Sequence, residues 1–233
     1  MTTTHARQRL TKHQLREDPF STAIFSAREW AQENLRLTLI VAGGVIVVIA
    51  LILGVRSYIG SRAESAAALF GEAGVELRGG NLATAIVSLR KVMDDYSGSS
   101  VAGMACVQLA DTYFRQRSFE EAKSYFQRYL DDYNKDPLLI AASWAGLAAI
   151  NEQASANAEG AKQYRKAAQV NPKTFQATEN LHSSLRCAIA AKDSALASDV
   201  FNELQKDLLP NDQAVRTGRQ LMIERGYLPP KAP

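Results

Sequence analysis

The chain has 233 residues, 46% of them apolar, with only 7 prolines and 14 glycines, and a formal net charge of +3. That length leaves about one folded domain beside a short extension. Residues 1–36 hold six Lys/Arg against four acids while residues 57–233 hold twenty of each, and a neutral body excludes nucleic acid as partner, since phosphate binding needs a concentrated basic face.

Residues 1–16 are polar and basic without apolar periodicity, and are expected to be disordered. Asp18-Pro19 marks a helix start, with Asp as N-cap and Pro in the first turn. Apolar residues then recur at Phe20, Ala23/Ile24, Ala27, Trp30/Ala31 and Leu35, which predicts an amphipathic helix from about residue 19. Two arrangements fit it: flat in the headgroup region, or a straight continuation of the next helix. Residues 1–36 thus form a short head.

Leu37 to Val55 is a run of nineteen residues without charge or proline, closed by Arg36 and Arg56. As a helix it spans roughly 28 Å, about the hydrocarbon thickness of a bilayer. A buried helix of a soluble domain is the competing reading, but such helices seldom run this long without a polar face. The head carries six Lys/Arg, whereas beyond the run Arg56 and Arg62 are followed by none until Arg78. The positive-inside rule therefore expects a cytoplasmic head and a translocated body. The run is longer than a secretory h-region and lies far from the N-terminus, so an uncleaved signal anchor is expected.

From Ser61 on, apolar residues follow the helical period, and turn signals such as Gly79-Gly80-Asn81, Gln116-Arg117-Ser118, Ser155-Ala156-Asn157 and Ala191-Lys192-Asp193 cut the body into helix-length segments. An internal period emerges when Ala85, Ala122, Gly160 and Ala197 are aligned at spacings of 37, 38 and 37 residues. Four residues after each stands Leu89, Phe126, Tyr164 or Phe201. The third unit reads Trp144-x-x-Leu147-Ala148, then Gly160, Tyr164, Ala167 and Pro172; the second carries Leu109-Ala110 and Tyr113, with Cys106 at the Trp site. This pattern resembles the tetratricopeptide repeat. A small residue at Ala110, Ala122, Ala148 or Gly160 lets the two helices of a hairpin approach, and Phe126 and Tyr164 fill the space between hairpins. The expected fold class is all-α: one transmembrane helix at 37–55, then an α-solenoid of helical hairpins over 62–225. Its units are placed at about 62–97, 99–135, 137–173 and 174–210, with a capping helix at 212–225 and a loose tail at 226–233. A generic antiparallel bundle is the alternative.

No catalytic chemistry is expected. His5, His13 and His182 are dispersed, and Cys106 and Cys187 fall at apolar helical positions, which reads as buried thiols rather than a metal motif. Asp94-Asp95 and Asp131-Asp132 read as solvated helix ends. No enzyme activity, metal or cofactor is predicted. Stacked hairpins instead offer a concave surface lined by the first helix of each hairpin. The repeat register points Phe70, Leu77, Val107, Asp111, Phe114, Glu152, His182 and Arg186 into it, a floor suited to a peptide or a partner's segment.

The order of head, single anchor and repeat body resembles that of the bacterial YfgM-like family, ancillary subunits of the Sec translocon. The resemblance implies a single-pass inner-membrane protein with its N-terminus in the cytoplasm and its body in the periplasm. Its implied partners are the translocon, periplasmic chaperones or exported clients, and the lipid bilayer. An assembly scaffold for another envelope machine, for secretion, pili or division, stands beside that reading.

Overall fold

The computed structural model describes residues 28, 30–207 and 212–229. Among them every regular element is helical: α1 (Leu35–Arg78), α2 (Leu82–Asp95), α3 (Ser100–Arg115), α4 (Phe119–Arg128) continued by a π-helical turn (Tyr129–Tyr133), α5 (Pro137–Gln153), α6 (Asn157–Val170), α7 (Phe175–Ala190), α8 (Ser194–Asp207) and α9 (Gln213–Glu224). The all-α class expected from the periodicity is the observed one. The disordered segment at 1–16, most of the amphipathic helix expected from about residue 19 and the last four residues of the tail lie outside the described residues.

The chain divides into two compact units, Met1–Ile59 and Gly60–Pro233. The described part of the first unit is residues 28 and 30–34 and the apolar half of α1. From Leu39 to Ile59 every residue is exposed, including Ile40 at 70% and Ile46 at 67%. The helix is long and apolar enough to cross a membrane, and the described residues bury none of its apolar window. The helix does not break at Arg56 but continues to Arg78. Its later turns change character: Ala66 and Ala73 are fully buried, and Leu69, Phe70 and Leu77 pack against the core of the second unit.

In the second unit each helix from α2 on packs against its successor, and α3 also packs on α5 and α7 on α9. This neighbour-to-neighbour pattern is that of a stack of hairpins rather than a closed bundle. The hairpin turns are built alike. Gly80 (φ 80°), Arg117 (61°), Ser155 (59°), Lys192 (60°) and Gly226 (73°) are left-handed residues that end α1, α3, α5, α7 and α9. In each turn the next N–H closes a Schellman bond to the carbonyl five residues earlier: Asn81 to Glu76 at 2.9 Å, Ser118 to Tyr113 at 3.0 Å, Ala156 to Asn151 at 2.8 Å, Asp193 to Ala188 at 3.0 Å and Tyr227 to Met222 at 2.8 Å. The odd-numbered helices thus stop by one device. Starts are capped by side chains: Asp136, Thr174, Asp193 and Asp212 accept from the N–H of Leu138, Ala177, Leu196 and Ala214.

Two apolar clusters run along the stack. Leu89, Met93, Leu109 and Tyr129 anchor the first, and Leu185, Val200, Leu204 and Met222 the second. Helix α5 belongs to both, giving Leu147 and Ile150 to the first and Ala148 to the second. The small residues do what their size allows. Ala110, Ala122 and Ala148 are fully buried, and a Cβ on Gly160 would stand 3.2 Å from the Ala148 carbonyl. Phe126 and Tyr164 are buried at 4% and 8% exposure.

Candidate protein-binding groove

Because side chains recur every 3.6 residues, a helix that packs on its neighbours through one face leaves another free. The free faces of the first helices of successive hairpins meet around an open cavity of about 590 Å³. Phe70 of α1 and Met104, Val107, Asp111 and Phe114 of α3 form one wall. The floor is α5, with Ala141, Ala142, Ala145, Gly146 and Ala149, and α7 closes the far side with Ala177 and Asn180. The floor is smooth because α5 offers little beyond Cβ there. At Gly146 even that is missing: a Cβ would come within 2.3 Å of the Phe126 ring, which lies over this glycine. Leu138, 61% exposed, stands at the N-terminal end of α5.

The eight residues expected in the groove separate. Phe70, Val107, Asp111 and Phe114 line this cavity together. Phe114 leans on Phe119 with ring centroids 5.5 Å apart, which holds its orientation. Leu77 packs against the first cluster and is absent from the lining. His182 lines a second open cavity of about 1050 Å³, formed with the end of α6 and with α8 and α9. Glu152 and Arg186 line neither cavity and pair with one another across α5 and α7, at 2.5 Å and 3.2 Å. The Tyr164 hydroxyl donates to the same Glu152 carboxylate at 3.3 Å. Burial, then the Glu152 charge, pushes the Tyr164 phenol above its ordinary range. This trio fastens one hairpin to the next.

Repeat register alone missed Met104, Leu138, the α5 floor and Asn180. The signal for the floor was present as the alanine-rich run 141–149, but spacing assigned only Trp144, Leu147 and Ala148 to a face.

The cysteines offer no reactive site. Cys106 and Cys187 are both buried, and burial above all raises the thiols, to about 12 and about 11. Both stay protonated at neutral pH, and the Cys106 thiol donates to the Tyr125 carbonyl at 3.2 Å. Among the described residues no group of three or more His, Cys, Asp or Glu could hold a metal ion.

A tetratricopeptide repeat protein from Parabacteroides merdae ATCC 43184 has a similar structure, with a TM-score of 0.58 and 16% identity over 70% of this chain. The chain spans 60% of that protein's length, so the likeness is one of fold. MamA AMB-1 matches over 70% of this chain and 85% of its own at 14% identity, with a TM-score of 0.49. A search of curated protein sequences finds no match. The model of the tetratricopeptide repeat-like domain family matches residues 28–181, more than half of the sequence. With its hairpin stack and left-handed turns, the chain belongs to the tetratricopeptide repeat-like domain family.

Proposed function

We propose that this protein is a membrane-anchored interaction module of the bacterial cell envelope, whose groove receives segments of other polypeptides near the site of protein export. One observation carries the reading: the free faces of α1, α3, α5 and α7 surround an open, largely apolar cavity, in a chain whose described residues include one helix long and apolar enough to cross a membrane. A groove of that kind recognises polypeptide by shape and apolar contact. No catalytic group enters the reading. The excess of Lys/Arg in residues 1–36 supports a cytoplasmic head and a periplasmic body. The YfgM-like layout supports the translocon, periplasmic chaperones or exported clients as partners.

Site-specific photocrosslinking in cells tests the reading. A photoreactive residue at Met104 or Leu138, on the cavity wall, is expected to form adducts with other polypeptides. One at Val87, 67% exposed on α2 and outside the cavity, is expected to form few. Equal labelling from all three positions, or none from the cavity, overturns the groove. Adducts with one dedicated assembly, free of translocon or chaperone components, overturn the export setting.

A further inference from the structure

We propose that the cavity between α3, α5 and α7 takes an extended peptide segment that combines a bulky apolar side chain with a neighbouring lysine or arginine, the cation meeting Asp111. The inference rests on the groove reading above and names the chemistry of its occupant.

The first observation is charge. Among the described residues Asp111 is the one ionisable side chain in the lining, and it makes no ion pair with any of them. Glu152, the other acid expected there, is already neutralised by Arg186. A half-buried carboxylate beside an apolar wall is screened less than one in open water. It therefore favours a cation and repels an acidic segment.

The second is the apolar wall. Phe70, Met104, Phe114 and Leu138 stand around the same opening, with Met104 and Leu138 at 41% and 61% exposure. They offer a place for one large side chain adjacent to the carboxylate.

The third is Asn180. It is only 3% exposed, lines the cavity, and its amide nitrogen has no hydrogen-bond partner among the described residues. Buried amides are nearly always paired, so a half-turn that brings this nitrogen to the cavity lets a ligand group satisfy it. The carboxamide is two-fold in shape, and a half-turn about χ2 sets either its nitrogen or its oxygen at the wall. An extended peptide has main-chain N–H and C=O groups to meet it. A helical peptide has used them internally, which is why the occupant is extended.

The test uses the full chain in lipid nanodiscs and short fluorescent peptides of Gly and Ser carrying two leucines and one lysine. A twin carries glutamate in place of lysine, and a second twin lacks the leucines. Fluorescence anisotropy at low salt is expected to show the lysine peptide binding about tenfold tighter than the glutamate twin, since charge across an interface sets specificity. Asp111→Asn, at a half-buried position that tolerates it, is expected to abolish that preference. Asn180→Ala is expected to weaken lysine and glutamate peptides alike, by about threefold to tenfold. Equal binding of the charge twins, a preference that survives Asp111→Asn, or binding that ignores the leucines overturns the inference and leaves the groove standing. If none of the peptides binds, the groove reading itself falls.

Discussion

Gly146 has no room for a methyl group, and Gly71 has nothing within 4 Å of where one would go. Both lie within helices, where alanine is favoured over glycine by roughly 1 kcal/mol. At Gly71 only that preference acts, so Gly71→Ala is expected to stabilise by about 0.5–1 kcal/mol. At Gly146 the new Cβ would lie 2.3 Å from the buried Phe126 ring, and the ring must move. Overpacking costs about 1–3 kcal/mol and outweighs the helix preference of roughly 1 kcal/mol, so the net effect is a loss of up to about 2 kcal/mol. Urea unfolding of the two variants in detergent, followed by circular dichroism, checks the opposite signs; a stabilised Gly146→Ala would show that the contact is not there. Neither effect could be read from the sequence. A glycine in an alanine-rich helix looks like any small residue, and only the ring packed on it gives it a role.

At the scale of the element, the left-handed turn residues are the most regular feature of the fold. Gly80 and Gly226 hold that conformation freely, whereas Arg117, Ser155 and Lys192 hold it at a cost of about 1–2 kcal/mol each because their Cβ crowds the backbone. All three side chains are exposed, so glycine there removes the strain and no buried contact. Arg117→Gly, Ser155→Gly and Lys192→Gly are each expected to raise stability by about 0.5–1 kcal/mol after glycine's entropy is subtracted. Additive gains in the triple variant, measured by thermal unfolding, would confirm that the turns act independently. The turn positions were visible as breaks in hydropathy. Their handedness was not, since arginine, serine and lysine give no local sign of positive φ. It follows from the Schellman closure that the next helix's packing demands.

For the whole molecule, the first unit and the second obey opposite rules of exposure. The apolar half of α1 leaves Leu39 to Ile59 in the open, and a bilayer is the medium in which such a surface is stable. The body hides most of its large apolar side chains in two clusters shared between consecutive hairpins. If the head is cytoplasmic, an alkaline phosphatase fusion at the C-terminus is expected to be active and a green fluorescent protein fusion dark in a bacterial host. The reverse pattern would overturn the periplasmic placement of the body.

Much of this architecture is written in local pattern. An uninterrupted apolar run needs no partner to be recognised, because the bilayer selects on length and charge alone. A repeat of 37 or 38 residues with small residues at fixed places dictates hairpins that stack, since each unit can bury its apolar face only on the next. Membership of the groove is of another kind. Phe70, Val107, Asp111 and Phe114 point into one cavity, but Glu152 and Arg186 met across a helix pair and Leu77 turned to the core. Which face of a helix stays free depends on where its neighbours sit, a relation between residues far apart in the chain. Only the tertiary structure could decide that Asp111 stays unpaired, that Asn180 stays unsatisfied, and that both line the same cavity.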